Sequence, residues 1–253
     1  MVAIDFHLLG ASKIVFNGEP LDDKLLNKDC ALLFYLAATR TVQQRTALAT
    51  LLWGEHIDGA ARGNLRKALS MLHQIIGDLL QIDHEQIGLA AGAWTCDAGL
   101  FEQDARAALK SGITSELAAA AERYTGDFLA GFNVHNAPDF DLWQAQVRER
   151  LRGLVVDTLF ALAQQQLDDD DPVTAAATFE RILLLESWNE EAHRGRMVAL
   201  AQCGQRSAAL RQYQRCVEQL AAELAVHPSA ETRAIYAWLV AGEMSAAPPP
   251  STD

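Results

Sequence analysis

Long apolar runs are missing from this 253-residue sequence. None reaches the ~18 residues a membrane-spanning helix needs, so no membrane partner is expected. The start, "MVAIDFHLLG", does not join a basic segment to a long apolar one, as a secretory leader would. The cytoplasm is therefore the expected location. Cysteine is sparse: Cys30, Cys96, Cys203 and Cys216, with no CxxC spacing and no histidine cluster at metal-ligand spacing. A zinc site or disulfide framework finds no support, and thiols in such apolar or helical settings act as small hydrophobes. Three of the seven prolines fall in the closing "SAAPPPSTD", a composition of linkers and disordered tails. Catalytic signatures are missing too, with no GxSxG and no HExxH. "GDFLAG" at 126–131 has the glycine spacing of a phosphate loop, but Phe132 stands where a lysine must be. Neither an enzyme nor a bound cofactor is expected.

An excess of basic charge is lacking as well: 21 Lys and Arg face 33 Asp and Glu, for a net charge of -12. The distribution says more than the sum. Between residues 40 and 73, Arg40, Arg45, Arg62, Arg66 and Lys67 outnumber Glu55 and Asp58. Screening over roughly 10 Å lets such a local field act on a polyanion despite an acidic body.

The stretch "ARGNLRKALSMLHQIIG" at 61–77 lies inside that basic region. Leu65, Leu69, Leu72 and Ile76 form one stripe at helical spacing. Arg62, Asn64, Arg66, Lys67, Ser70, His73 and Gln74 fall outside it, the residue types that neutralise phosphates and read base edges. Gly77 is the expected stop. For Asn64 a local cap, and for Arg66 an ion pair, are the alternatives.

The flanks supply a context. "AIDFHLL" at 3–9 and "KIVF" at 13–16 read as strands, with "NGEP" at 17–20 as a turn. A helix is predicted from Lys24 to Thr39, with Leu25, Leu32, Leu33 and Leu36 on one face and Phe34 or Tyr35 at its edge. A second runs over 44–53, with Leu48, Leu51 and Leu52 inward. After the third helix, "LLQIDHEQIGLA" alternates as a hairpin with its tip at Asp83 to Gln86, and "AWTCD" adds a strand. Strands, three helices and a hairpin, in that order, make a winged helix-turn-helix, whose third helix enters the major groove. Asp83 and Glu85 at the wing tip repel phosphate.

From about residue 98 to 244 the chain reads as nearly all helix. Pro138 and Pro172 are 34 residues apart, as are Ala175 and Ala209, Ala176 and Leu210, and Phe179 and Tyr213. That is the tetratricopeptide period, in which each helical hairpin packs on the next. Asp168 to Asp171 before Pro172 read as a helix cap and not a calcium loop, since the spaced ligands and glycine of such a loop are missing.

Several motifs point to one family. They are "LATLLWGEHIDGAARGNLRKALSMLHQIIG" at 48–77, "CDAGLFE" at 96–102, "YTGDFLAGF" at 124–132, "FDLWQAQVRERLRGL" at 140–154 and the long stretch 182–236 ending "HPSAETRAIY". With these the chain resembles the bacterial transcriptional activator family of antibiotic regulatory proteins. The resemblance covers almost the whole chain in order. It implies an α+β N-terminal OmpR-type winged helix over residues 1–100 and an all-α tetratricopeptide-like domain over 101–244, with 245–253 a tail or linker. It also implies double-stranded DNA as partner, direct repeats near promoters, dimers on DNA, and contacts with RNA polymerase or another protein. Carried onto matching positions, Arg62, Asn64, Arg66, Lys67 and Ser70 are candidates in the recognition helix. Arg45, His73 and Gln74 join them from the residue pattern: Arg45 toward phosphate or guanine, Gln74 toward bases, His73 toward either. The competing expectation is a protein–protein adaptor whose winged helix no longer binds DNA. A third is control by a small molecule held in the helical domain, although no residue cluster marks such a site.

Overall fold

A computed structural model describes residues 4–21, 24–55 and 58–242. The chain divides into two compact units. One comprises residues 1–104 with 122–153, the other 105–121 with 154–253. The division falls inside two helices, α4 (Asp97–Ser111) and α6 (Pro138–Asp168). The tail expected to be disordered lies outside the described residues.

The first unit opens with strands β1 (Ile4–His7), β2 (Lys13–Phe16) and β3 (Glu19–Pro20). They join β7 (Trp94–Cys96) in a four-stranded sheet of order β3-β2-β1-β7, in which β1 and β7 run parallel. The turn expected over 17–20 is shorter. Asn17 and Gly18 alone take positive φ, and Glu19 and Pro20 already pair with Phe16 and Val15. Pro20 can sit there because β3 is an edge strand, where a missing N–H leaves no gap in the ladder.

Helix α1 (Asn27–Thr39) starts three residues later than its apolar pattern suggests. It is buried on every side, with Leu32, Leu33, Phe34, Leu36 and Ala37 nearly inaccessible. A helix buried all round shows no clear stripe, which is why Phe34 reads as an edge residue and is a core residue. Helices α2 (Arg45–Trp53) and α3 (Asp58–Ile76) follow. Gly77 ends α3 at φ +56, a conformation that favours glycine. The hairpin β5 (Leu80–Ile82) and β6 (Gln86–Leu89) pairs with the short β4 (Gln43–Gln44) as a second sheet.

Residues 123–137 are not helical, against the expectation of a nearly continuous helical half. They pack on the segment that follows β1 and on α1. The Gly10 N–H donates to the Asp127 carbonyl (3.0 Å), Leu129 to Leu8 (2.8 Å) and Ala130 to Gly10 (3.0 Å). Phe132 meets Phe34 edge-on at 5.0 Å, and Trp143 of α6 packs on Tyr35, Phe128 and Phe140. Each fully buried phenylalanine in such a cluster contributes about 1.5–3 kcal/mol.

Among the described residues, the elements of the second unit are all helices: the end of α4, α5 (Thr114–Glu122) up to residue 121, the later part of α6, α7 (Pro172–Leu185), α8 (Glu190–Gln202), α9 (Arg206–Glu223) and α10 (Ala230–Ala241). Asp171 caps α7 by accepting from the Thr174 N–H, and Pro172 occupies the first helical position, as the aspartate run suggested. Asn189 and Ser229 cap α8 and α10 in the same way. The 34-residue period appears as two helical hairpins, α7–α8 and α9–α10. Ala175 and Ala209 are fully buried in matching positions. Met197 and Ala201 of α8 join Ala209, Ile235 and Leu239 of α9 and α10 in one core between the two hairpins, beside a Tyr213–Tyr236 stack at 4.1 Å.

All four cysteines are free thiols. Burial pushes Cys96 up to about 11 and Cys216 up to about 12, so their reactive thiolates are scarce.

Candidate nucleic-acid interface

Helix α3 carries most of the candidate residues, and its burial separates two faces. Leu65, Leu69, Leu72 and Ile76 are buried as the spacing requires, and Ala61 and Ala68 widen the buried stripe. Arg62, Arg66, Lys67, Ser70, His73 and Gln74 are exposed. Six of the eight predicted residues are therefore gathered on one open helical face. Among the described residues, Arg66 and Lys67 have no ion-pair partner. Asn64 lies within the helix and not at its end, so a capping role does not apply. It is half-buried at the margin of the face.

Arg45 is the exception. It is the first residue of α2, half-buried, with its guanidinium donating to the Asp83 carbonyl at 3.3 Å. Its own N–H donates to Glu85 at 2.9 Å. The residue ties α2 to the hairpin tip and does not join the α3 face. The tip turns tightly, Asp83 N–H donating to Gln86 at 2.8 Å, with Asp83, His84 and Glu85 exposed.

Two features escape sequence reasoning. Met71 stands 40% exposed in the middle of the polar face, where an apolar side chain suits a thymine methyl or a ligand. Lys28 of α1 donates to the carbonyls of Leu52 (2.5 Å) and Asn136 (3.0 Å), with its ammonium 5.6 Å from the Trp53 ring. Desolvation lowers its pKa, partly offset by Glu55. Lys28 thereby ties residue 136 to the end of α2, across a sequence separation that no local pattern reveals.

An exposed helix face of basic and amide side chains beside a β-hairpin, followed by tetratricopeptide-like hairpins, is the architecture of a winged helix joined to helical repeats. Residues 96–239 match the family model of the bacterial transcriptional activator domain. The chain belongs to that family. Its fold is similar to that of Mycobacterium tuberculosis EmbR, solved in complex with a low-affinity phosphopeptide. The TM-score is 0.68 at 22% identity, over 96% of this chain and 66% of EmbR. The chain thus spans about two thirds of that relative's length. No curated protein matches the chain. No helix among the described residues is long and apolar enough to cross a membrane.

Proposed function

We propose that this chain is a cytoplasmic DNA-binding transcriptional regulator, an activator, which reads promoter repeats through α3. The observation that carries this reading is the division of α3: one face buried, the other exposing Arg62, Arg66, Lys67, Ser70, His73 and Gln74. Arg62, Arg66 and Lys67 contact phosphate or guanine, Asn64 and Gln74 read base edges, and Ser70 and His73 serve either role. Arg45 acts by holding the wing beside the helix.

The cations are few, so each protomer gives a shallow dependence on salt. At roughly -0.9 per phosphate, a log–log slope of magnitude ~3 to 5 is expected. Two protomers on adjacent direct repeats raise the affinity through effective concentration. The family membership supports the regulator reading. The phosphopeptide in the EmbR complex supports counting a protein partner, RNA polymerase or another protein, beside DNA.

The test is selection of genomic fragments by the purified chain, followed by titration at several salt concentrations. The double variant Arg66→Glu/Lys67→Glu runs in parallel, its folding checked by the helical signal. A recovered repeat, lost in the folded variant, supports the reading. No enrichment at low salt overturns it. The exposed carboxylates at the wing tip, Asp83 and Glu85, then favour the second reading, a protein–protein adaptor with a structural winged helix.

A further inference from the structure

A cavity of about 530 Å3 opens beside α3 within the first unit. That volume lies in the range of small-molecule sites. Its walls are apolar: Leu26, Trp53, Ala68 and Met71. Trp53 and Ala68 are buried, whereas Leu26 (69% exposed) and Met71 (40% exposed) present apolar surface to water. The polar edge is made by Asn64 and Lys67 of α3 with His135 and Asn136 of the irregular segment.

The accessible charge at this edge is positive. Asp29 also lines the cavity, but its side chain is only 3% exposed and its Oδ2 is sealed from solvent without a partner. Burial raises its pKa and so favours the uncharged carboxyl. Lys28 directs its ammonium to the Leu52 and Asn136 carbonyls. Lys67 remains, exposed, and Asn64 and Asn136 line the same cavity. An ammonium with amide donors above an apolar floor is complementary to an anionic head on an apolar body, because charge-assisted hydrogen bonds orient the head while the body leaves water. A cationic head would meet Lys67 and find no exposed carboxylate among the lining residues.

We propose that this cavity binds a small carboxylic acid with an aromatic or branched apolar body, and that the bound acid displaces DNA from α3. The second half rests on the DNA-reading function proposed above. Lys67 and Asn64 serve both partners: a lysine neutralised by a ligand carboxylate cannot also neutralise a phosphate, and an asparagine covered by the ligand cannot reach a base edge. The ligand is thus a negative regulator acting by direct competition, and the site lies on the winged helix and not in the helical repeats.

The test uses the full chain and three probes of one shape: 2-naphthylacetate, its neutral amide and 2-naphthylethylamine. Calorimetric titration without DNA reads the site alone. The acid is expected to bind one per chain, about tenfold or more tighter than the amide, with the amine weakest. Leu26→Trp narrows the mouth at an exposed position outside the DNA-reading face. It should weaken the acid about tenfold or more while DNA affinity stays at the wild-type level. Fluorescence anisotropy with a recovered DNA fragment should show affinity falling several-fold at saturating acid, with no such loss in Leu26→Trp. Equal binding of all three probes, tightest binding of the amine, or no binding of the acid overturns the site. If DNA binds and the acid binds without displacing it, the competition is overturned. If the acid binds but no DNA does at any salt concentration, the site stands and the DNA-reading function is the part that fails.

Discussion

Gly126 and Gly10 meet backbone to backbone. A Cβ on Gly126 would stand 3.0 Å from the Gly10 Cα and 3.3 Å from its nitrogen. The approach is held by the hydrogen bonds from Gly10 to Asp127 and from Ala130 to Gly10, and by the Thr125 hydroxyl donating to Leu9 at 2.8 Å. The glycine spacing in "GDFLAG" thus serves a close packing of two chain segments and not a phosphate. Gly126→Ala is expected to destabilise the chain by about 1–3 kcal/mol, since the obstacle is backbone and cannot swing aside. Urea unfolding should show a lower midpoint at unchanged slope. A midpoint equal to the wild type's would mean the two segments are not locked as described.

Arg45 and Lys67 should separate in a salt titration. The Arg45 guanidinium is engaged with the Asp83 carbonyl, whereas Lys67 is exposed and unpaired among the described residues. Lys67→Ala is expected to reduce the magnitude of the log–log slope by about 0.9. Arg45→Ala should change the slope less and accelerate amide exchange at Asp83 to Gln86, where the wing tip loses its tether. Equal slope changes would place Arg45 on phosphate after all.

What the sequence discloses here is what repeats locally. Leu65, Leu69, Leu72 and Ile76 are buried because a 3.6 period leaves one way to hide them, and Gly77, Asp171 and Pro172 mark helix ends through their own backbone chemistry. The eight site candidates come from that helical pattern and from the family resemblance, and six share the exposed face. Arg45 departs because its partner, a carbonyl in the wing, belongs to tertiary structure. The same limit hides the fate of 123–137: Phe132 against Phe34 and Gly126 against Gly10 are contacts about a hundred residues apart in sequence. Pattern alone could not reveal the cavity at Asn64 and Lys67, whose far wall comes from that segment.

In the helical repeats, the small–large pairing of the 34-residue period has one sharp contact. A Cβ on Gly195 of α8 would lie 2.3 Å from the ring of Phe179 on α7. Phe179 is buried and packs on Phe160, so its ring cannot withdraw. Gly195→Ala should cost about 1–3 kcal/mol despite raising helix propensity. The double variant Gly195→Ala/Phe179→Leu should recover part of that loss, because the smaller side chain vacates the clash. Additive losses in the double-mutant cycle would show that the two residues do not meet.

A chain of polar groups in the same repeats makes stability depend on pH. Arg196 pairs with Glu180 and donates to Gln212 Oε1 at 2.8 Å. That fixes the amide, so Gln212 Nε2 donates to His193 Nδ1 at 2.6 Å. His193 must then carry its proton on Nε2, which donates to the Ser187 carbonyl at 2.9 Å. A second proton on Nδ1 would face the Gln212 donor in a buried place. Desolvation accordingly holds His193 below the ordinary histidine value of 6.5, with Arg215 and Arg196 pressing the same way and Glu180 and the Ser187 hydrogen bond opposing. As pH falls through about 6.5, the unfolded chain takes up this proton first, so stability is lost on the acid side and is fully present above it. His193→Gln should flatten the stability difference between about pH 7.5 and about pH 5.5, whatever it costs in absolute terms. An unchanged difference in the folded variant would assign the acid sensitivity to other groups and break the proposed proton placement on Nε2.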